Sequence, residues 1–296
     1  MKNSTILRGY VYIILSSVIY GCMPLMASHI YADGVTPMGL VLWRNVLSVP
    51  MIALIAICFK QPLKIAPRKL GAVATLGVMG CALTPLLLFS SYRYMASGTA
   101  TVLHFVYPLV VVLLEVIFLK KGLKPSTVFS LALFIAGITT FYTPGAQINL
   151  TGSIIALASG VVFGIYIVLI GIFKIAKIPS FTLGLYVAMA SALSICLVCL
   201  ITGGFSMPKT LFGWGMCLLF AFLVNVCAFV LFQRGTLLIG GGRASILSAI
   251  DPVTSVLVGI LVLGEGASYL TIIGAVLIIA ASVIIAVADL KKQGEQ

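Results

Sequence analysis

Charged side chains are scarce in this chain: 8% of its 296 residues, against 61% that are hydrophobic. A soluble domain carries about 25% charged residues to wet its surface, so most of this surface must face lipid. Acids are the rarer sign, 6 against 18 Lys and Arg, and they form no cluster that would hold metal ions for phosphoryl chemistry. A P-loop is missing too, which argues against direct ATP hydrolysis. Gly240-Gly241-Gly242 lacks the following Lys-Ser/Thr of a phosphate cradle and is read as a flexible connector. The seven cysteines lie mostly in apolar runs. Cys196 and Cys199 have redox or metal spacing, but no His or acid nearby completes a ligand set. They are read as small packing side chains. No cofactor and no metal is expected.

What the chain has in abundance is apolar length. A helix needs about 20 apolar residues to cross the roughly 30 Å hydrocarbon core. On that measure spans are expected near 8–31, 37–59, 70–93, 97–119, 125–143, 150–173, 179–202, 210–233, 243–264 and 267–289. The first apolar run, Gly9 to Ala32, exceeds the 7–15 residue core of a signal peptide and is read as a span. Strand-type alternation is absent. The expected fold class is all-α integral membrane, with ten transmembrane helices.

The basic residues then set the orientation. With the N-terminus inside, Lys2, Arg8, Lys60, Lys64, Arg68, Lys69, Lys120, Lys121, Lys124, Lys174, Lys177, Arg234, Arg243, Lys291 and Lys292 are cytoplasmic. Only Arg93 and Lys209 lie on the other side, and Arg44 lies within a span. Such bias fixes topology: a multi-pass protein of the cytoplasmic (inner) membrane with both termini cytoplasmic. Its expected partners are the lipid bilayer and a small-molecule substrate, with protons as a candidate coupling ion and no nucleic acid. Oligomeric state is left open, a monomer being the simplest arrangement.

The two halves resemble one another at an offset of 143–144 residues. Ser16-Ser17-Val18-Ile19-Tyr20-Gly21 answers Ser159-Gly160-Val161-Val162-Phe163-Gly164. Gly98-Thr99-Ala100-Thr101 answers Gly242-Arg243-Ala244-Ser245, and Tyr107-Pro108 answers Asp251-Pro252. Gly122 and Gly266 each fall fourteen residues past the proline. Five spans being odd, the second copy enters from the opposite side: two inverted-topology five-helix repeats, 1–146 and 147–296, joined through Thr143-Pro144-Gly145. Such repeats place a substrate site near the midplane and suit alternating access.

This pattern resembles the EamA-type family of the drug/metabolite transporter superfamily over essentially the whole chain. The most specific portion runs from Ala249-Ile250-Asp251-Pro252-Val253 through Leu263-Gly264-Glu265. Family members usually show Glu-Pro where this chain has Asp251-Pro252, a departure that keeps the charge and shortens its reach. Arg44 also falls where members commonly place an arginine. The resemblance implies a transporter and suggests export of an amino acid or another small metabolite.

Polar groups inside the membrane are costly and mark function. Asp251 and Tyr107 are placed near the midplane, roughly 12 and 15 Å from opposite surfaces; Arg44 and His104 lie roughly 10 Å below the outer one. Arg44 can clasp a carboxylate, against the alternative of an internal clamp. His104 can bind substrate or titrate, against a packing role. Asp251 is a site acid or a structural acid bonded to Ser248 or Ser255. Tyr20 and Asn225 complete the substrate-binding candidates. Glu115 is expected to pair with Lys120 and Lys121, and Glu265 to be structural. Pro24, Pro85, Pro108 and Pro252 are the candidate hinges.

The expected function is secondary transport of a small zwitterionic or anionic solute, with Arg44 taking a carboxylate and Asp251 an ammonium. Import or exchange of another metabolite, such as a vitamin or nucleobase, is the alternative. An embedded enzyme is disfavoured: Ser97 and His104 are two helical turns apart, too far for a nucleophile–base bond.

Overall fold

A computed structural model describes residues 2–119, 125–141, 149–173, 178–239, 244, 247–266 and 268–294. The described residues form helices and connectors, with no strand among them. In chain order the helices are α1 (Lys2–Gly21), α2 (Met23–Ala32), α3 (Pro37–Cys58), α4 (Pro67–Leu76), α5 (Thr84–Ser91), α6 (Ser97–His104) and α7 (Tyr107–Leu119). Then follow α8 (Pro125–Phe141), α9 (Leu150–Ile172), α10 (Ser180–Thr202), α11 (Leu211–Phe220), α12 (Phe229–Ile239), α13 (Ile250–Leu261) and α14 (Tyr269–Gly294). Among the described residues, two π-helical segments, Gly77–Leu83 and Ala221–Ala228, join α4 to α5 and α11 to α12. They begin 144 residues apart.

Among the described residues, seven helical stretches are long and apolar enough to cross a membrane: Ile6–Ala32, Pro37–Cys58, Pro67–Ser91, Ser97–Phe118, Leu150–Ile170, Ser180–Thr202 and Leu211–Thr236. Each falls within a few residues of an expected span. The three other expected spans carry shorter apolar helices, Val128–Gly137, Ile250–Leu261 and Ile272–Ala281. The chain is a multi-pass membrane protein. Its outward side chains, such as Ile201, Leu211 and Leu261, are apolar and exposed, as contact with lipid requires.

Local sequence chemistry explains where the helices begin. Thr36 caps α3, its Oγ1 accepting the Gly39 N–H at 3.1 Å, and Pro37 takes the first position, where no N–H is needed. Thr210 caps α11 by accepting the Gly213 N–H at 3.0 Å. The four hinge candidates each sit in the first turn of a helical piece. Pro24 opens α2 after a break at Cys22, and Pro85 opens α5 after the first π segment. Pro108 and Pro252 lie in the first turns of α7 and α13, just after turns at 105–106 and 248–249. At Pro24, Pro108 and Pro252 a proline costs least, because these first-turn amides follow a turn and have no intrahelical acceptor, whereas Pro85 continues the helix out of the π segment and leaves a carbonyl there without its usual donor.

Small residues set the closest packing. A Cβ added at Gly21 would lie 2.8 Å from Asp251 O and crowd Thr254, so only glycine lets α1 approach α13 this closely. A Cβ at Gly164 would lie 3.2 Å from Tyr107 O and 2.9 Å from Val110 Cβ, where α9 meets α7. Elsewhere α3 packs on α10, α8 on α14 and α6 on α13. The buried rings of Phe89 and Phe220 meet edge to face at 5.8 Å, pinning α5 to α11.

Candidate substrate site

Arg44 lies about two turns into α3 and is 6% exposed. Its guanidinium carbon stands 5.8 Å from the centre of the Phe89 ring, a cation–π contact. Its Nε is buried with no hydrogen-bond partner. Asp251 lies in the first turn of α13, where the helix end favours negative charge, and its Oδ1 is likewise buried and unpartnered. No ion pair joins the two among the described residues. The Tyr20 side chain, near the end of α1, is within electrostatic reach of both. Burying a charged group without a partner costs several kcal/mol, so the unpartnered Arg44 Nε and Asp251 Oδ1 make these two residues candidates for contact with a solute.

The serines expected as structural partners of Asp251 face other groups as well. Ser255 Oγ donates to Thr101 Oγ1 at 3.0 Å, and Ser248 Oγ lies 3.3 Å from Tyr107 Oη. Tyr92 Oη stands 3.1 Å from the same Thr101 Oγ1 and is within electrostatic reach of Asp251.

His104 and Tyr107 belong to one aromatic cluster. The His104 Nδ1 is 2.8 Å from Ser159 Oγ, and its ring lies 5.5 Å from Phe163 and 5.8 Å from Tyr107. Tyr107 meets Phe163 edge-on at 4.9 Å, and Phe163 stacks on Tyr166 at 5.4 Å. Ser97, the other half of the rejected nucleophile–base pair, donates its hydroxyl to Glu265.

Asn225 is engaged with α3. Its Nδ2 lies 3.1 Å from Arg44 O, 3.2 Å from Ser48 Oγ and 3.3 Å from Asn45 Oδ1. Its amide nitrogen therefore holds the second π segment against the helix that carries Arg44. Sequence reasoning missed the centre of this arrangement, Asn45, which is fully buried. The signal was available: a carboxamide inside an apolar span must find partners there.

Two carboxylates serve as caps away from this site. Glu265 Oε1 accepts the Ser97 N–H at 2.9 Å and the Ser97 hydroxyl at 2.6 Å, while Oε2 accepts the Gly98 N–H at 3.3 Å. Asp33 Oδ2 accepts the Lys209 and Thr210 N–H groups at 2.7 and 3.1 Å. The Thr210 backbone N–H, with the Thr210 side chain and Lys209 adding to it, holds the Asp33 carboxyl below the usual carboxylate range. Trp43 and Trp214 meet edge to face at 4.8 Å, and Trp43 Nε1 donates to Ser206 O at 2.9 Å. The Glu115 side chain, its lysine partners and the glycine connector at 240–242 lie outside the described residues.

Comparison with known proteins gives this geometry its context. The model of the EamA-like transporter family matches twice, over residues 7–143 and 150–287. The chain is 26% identical over 279 residues to a Bacillus subtilis (strain 168) protein described as "Uncharacterized transporter YcbK", covering 90% of this chain and 88% of that one. A solved structure described as "Crystal structure of protein" shares the fold with a TM-score of 0.67 at 17% identity, over 96% of this chain and 98% of that one. With a family model spanning nearly all of its length in two copies, the chain belongs to the EamA-like transporter family and is a membrane transporter.

Proposed function

We propose that this protein exports a small zwitterionic solute, an amino acid or a close relative, across the cytoplasmic membrane by alternating access. The observation that carries the reading is the pair of buried, unpartnered groups, Arg44 Nε and Asp251 Oδ1, both within electrostatic reach of Tyr20. A solute bearing both a carboxylate and an ammonium supplies what each group lacks. The guanidinium offers a two-pronged match to the carboxylate, and Asp251 accepts from the ammonium. Tyr107 and His104 border the same region through the cluster around Phe163.

The architecture we infer is ten spans in two inverted halves, 1–146 and 147–296, with both termini cytoplasmic. The double family match supports it, as do the π segments that begin 144 residues apart. The packing of Gly21 on Asp251 O and of Gly164 on Tyr107 O points the same way, since each residue and its acceptor are repeat partners of the other pair. The breaks before Pro24, Pro85, Pro108 and Pro252 are the hinges at which such halves rock. Asp251 is the natural proton carrier, exchanging its proton for substrate.

The test is efflux from sealed liposomes containing the purified protein and loaded with radiolabelled amino acids. Faster loss of at least one amino acid than from empty liposomes is expected. Retention of every amino acid, with loss of a vitamin or nucleobase instead, would move the protein to the alternative reading.

A further inference from the structure

Pro85 has no N–H to offer the carbonyl four residues earlier, that of Cys81 in the first π segment. Asn45 fills the vacancy, its Nδ2 donating to Cys81 O at 3.2 Å. The same nitrogen donates to Val41 O, one turn back on α3, at 2.8 Å. Both amide hydrogens are thereby committed. Asn45 Oδ1 meanwhile accepts from Asn225 Nδ2 at 3.3 Å, in the second π segment. Cys81 and Asn225 are themselves 144 residues apart, the offset between the two π segments. One fully buried amide, next in sequence to Arg44, thus bonds the matching position of each.

We propose that Asn45 is a positioning residue that couples the two π segments, so that they change register together while Arg44 is presented to substrate. The proposal rests on the transport reading above. π-helical turns inside α-helices are rare and concentrate at functional sites. Converting one to α-helix shifts the rest of its span by a residue, roughly 1.5 Å and 100°. In the first segment that movement carries off Phe89, the ring beneath the Arg44 guanidinium. If one segment shifted alone, Asn45 would keep one bond and leave a buried donor or acceptor unsatisfied, a penalty larger than the bond itself is worth. A joint shift lets the amide turn as one unit and take new partners on both segments, so that neither its oxygen nor its N–H stays unsatisfied. The arrangement therefore favours two states over four.

Amide hydrogen exchange of the protein in lipid nanodiscs, without substrate, tests this directly. Asn45→Leu removes both bonds, and exchange should quicken about fivefold in both 77–83 and 221–228, the factor expected from one lost hydrogen bond in each. Asn225→Leu leaves Asn45 in place and removes the second segment's bonds to Asn45, to Arg44 O and to Ser48 Oγ, none of them to the first segment, yet exchange in 77–83 should also quicken. Helix α8, which packs on α14 away from these segments, serves as control. Wild-type exchange at 77–83 in Asn225→Leu would overturn the coupling, as would an equal rise in α8. If Asn45→Leu fails to fold, Asn225→Leu decides alone. Since no substrate is used, failure here and failure of the amino-acid efflux assay are separate outcomes.

Discussion

Glu265 caps the helix that begins at Ser97, accepting the Ser97 N–H at 2.9 Å and its hydroxyl at 2.6 Å. The contact joins the connector after α13 to the start of α6, so a carboxylate from the second half satisfies amides that the first half leaves open. Glu265→Ala strands those donors and should lower stability by about 1–3 kcal/mol, read as a reduced Tm in detergent. Glu265→Gln keeps an acceptor and should lose less. An unchanged Tm for Glu265→Ala would mean that other groups satisfy the cap.

Asp33 makes the corresponding contact at the start of α11, and its depressed pKa gives that contact a pH signature. A carboxyl held below its unfolded value stabilises the fold above the unfolded pKa, about 3.9, and loses that contribution as pH falls through the folded value. Asp33→Ala should therefore lower Tm at pH 7, and the gap to wild type should close as pH falls below about 4. A gap that persists at the lowest pH would assign the effect to packing rather than charge.

Glycine contacts make a third set of expectations. Gly164→Leu drives a side chain into Val110 and Tyr107 O and should destabilise by about 1–3 kcal/mol. Gly215, in α11, has nothing within 4 Å of an added Cβ, so Gly215→Ala should hold or raise Tm. Melting both variants in the same detergent checks the contrast.

Asp251→Asn tests proton coupling. The amide keeps the shape of the acid and an oxygen to accept from the ammonium, but it cannot gain or lose a proton. Substrate exchange should remain measurable, while accumulation driven by a pH gradient is lost. Gradient-driven accumulation with unchanged pH dependence in this variant would assign Asp251 a structural role.

Much of this architecture is legible in the sequence because membrane physics leaves few options. Apolar length locates the helices, and seven long stretches lie where expected. First-turn prolines mark the breaks. Arg44 and Asp251 stand out because a charge within an apolar run needs a reason to be there. The π segments were not legible: the Gly77–Leu83 stretch reads as ordinary helix, and its register depends on contacts with α3 and α10. Asn45 is easily passed over beside Arg44, and the bonds of the Asn225 amide nitrogen to α3 have no local signature. Partners of buried amides come from distant segments, which local pattern cannot supply.

The central claim is that Arg44 reads a carboxylate on the transported solute. Arg44→Lys keeps the positive charge but loses the two-pronged geometry. The direct measurement is competition by an amino acid and by its amide against efflux of a radiolabelled amino acid from liposomes. The account predicts that Arg44→Lys weakens the amino acid about tenfold or more, the cost of one charge-assisted hydrogen bond, and leaves the amide nearly unchanged. Equal weakening of both, with a lowered Tm, would contradict it and make Arg44 a brace of the bundle.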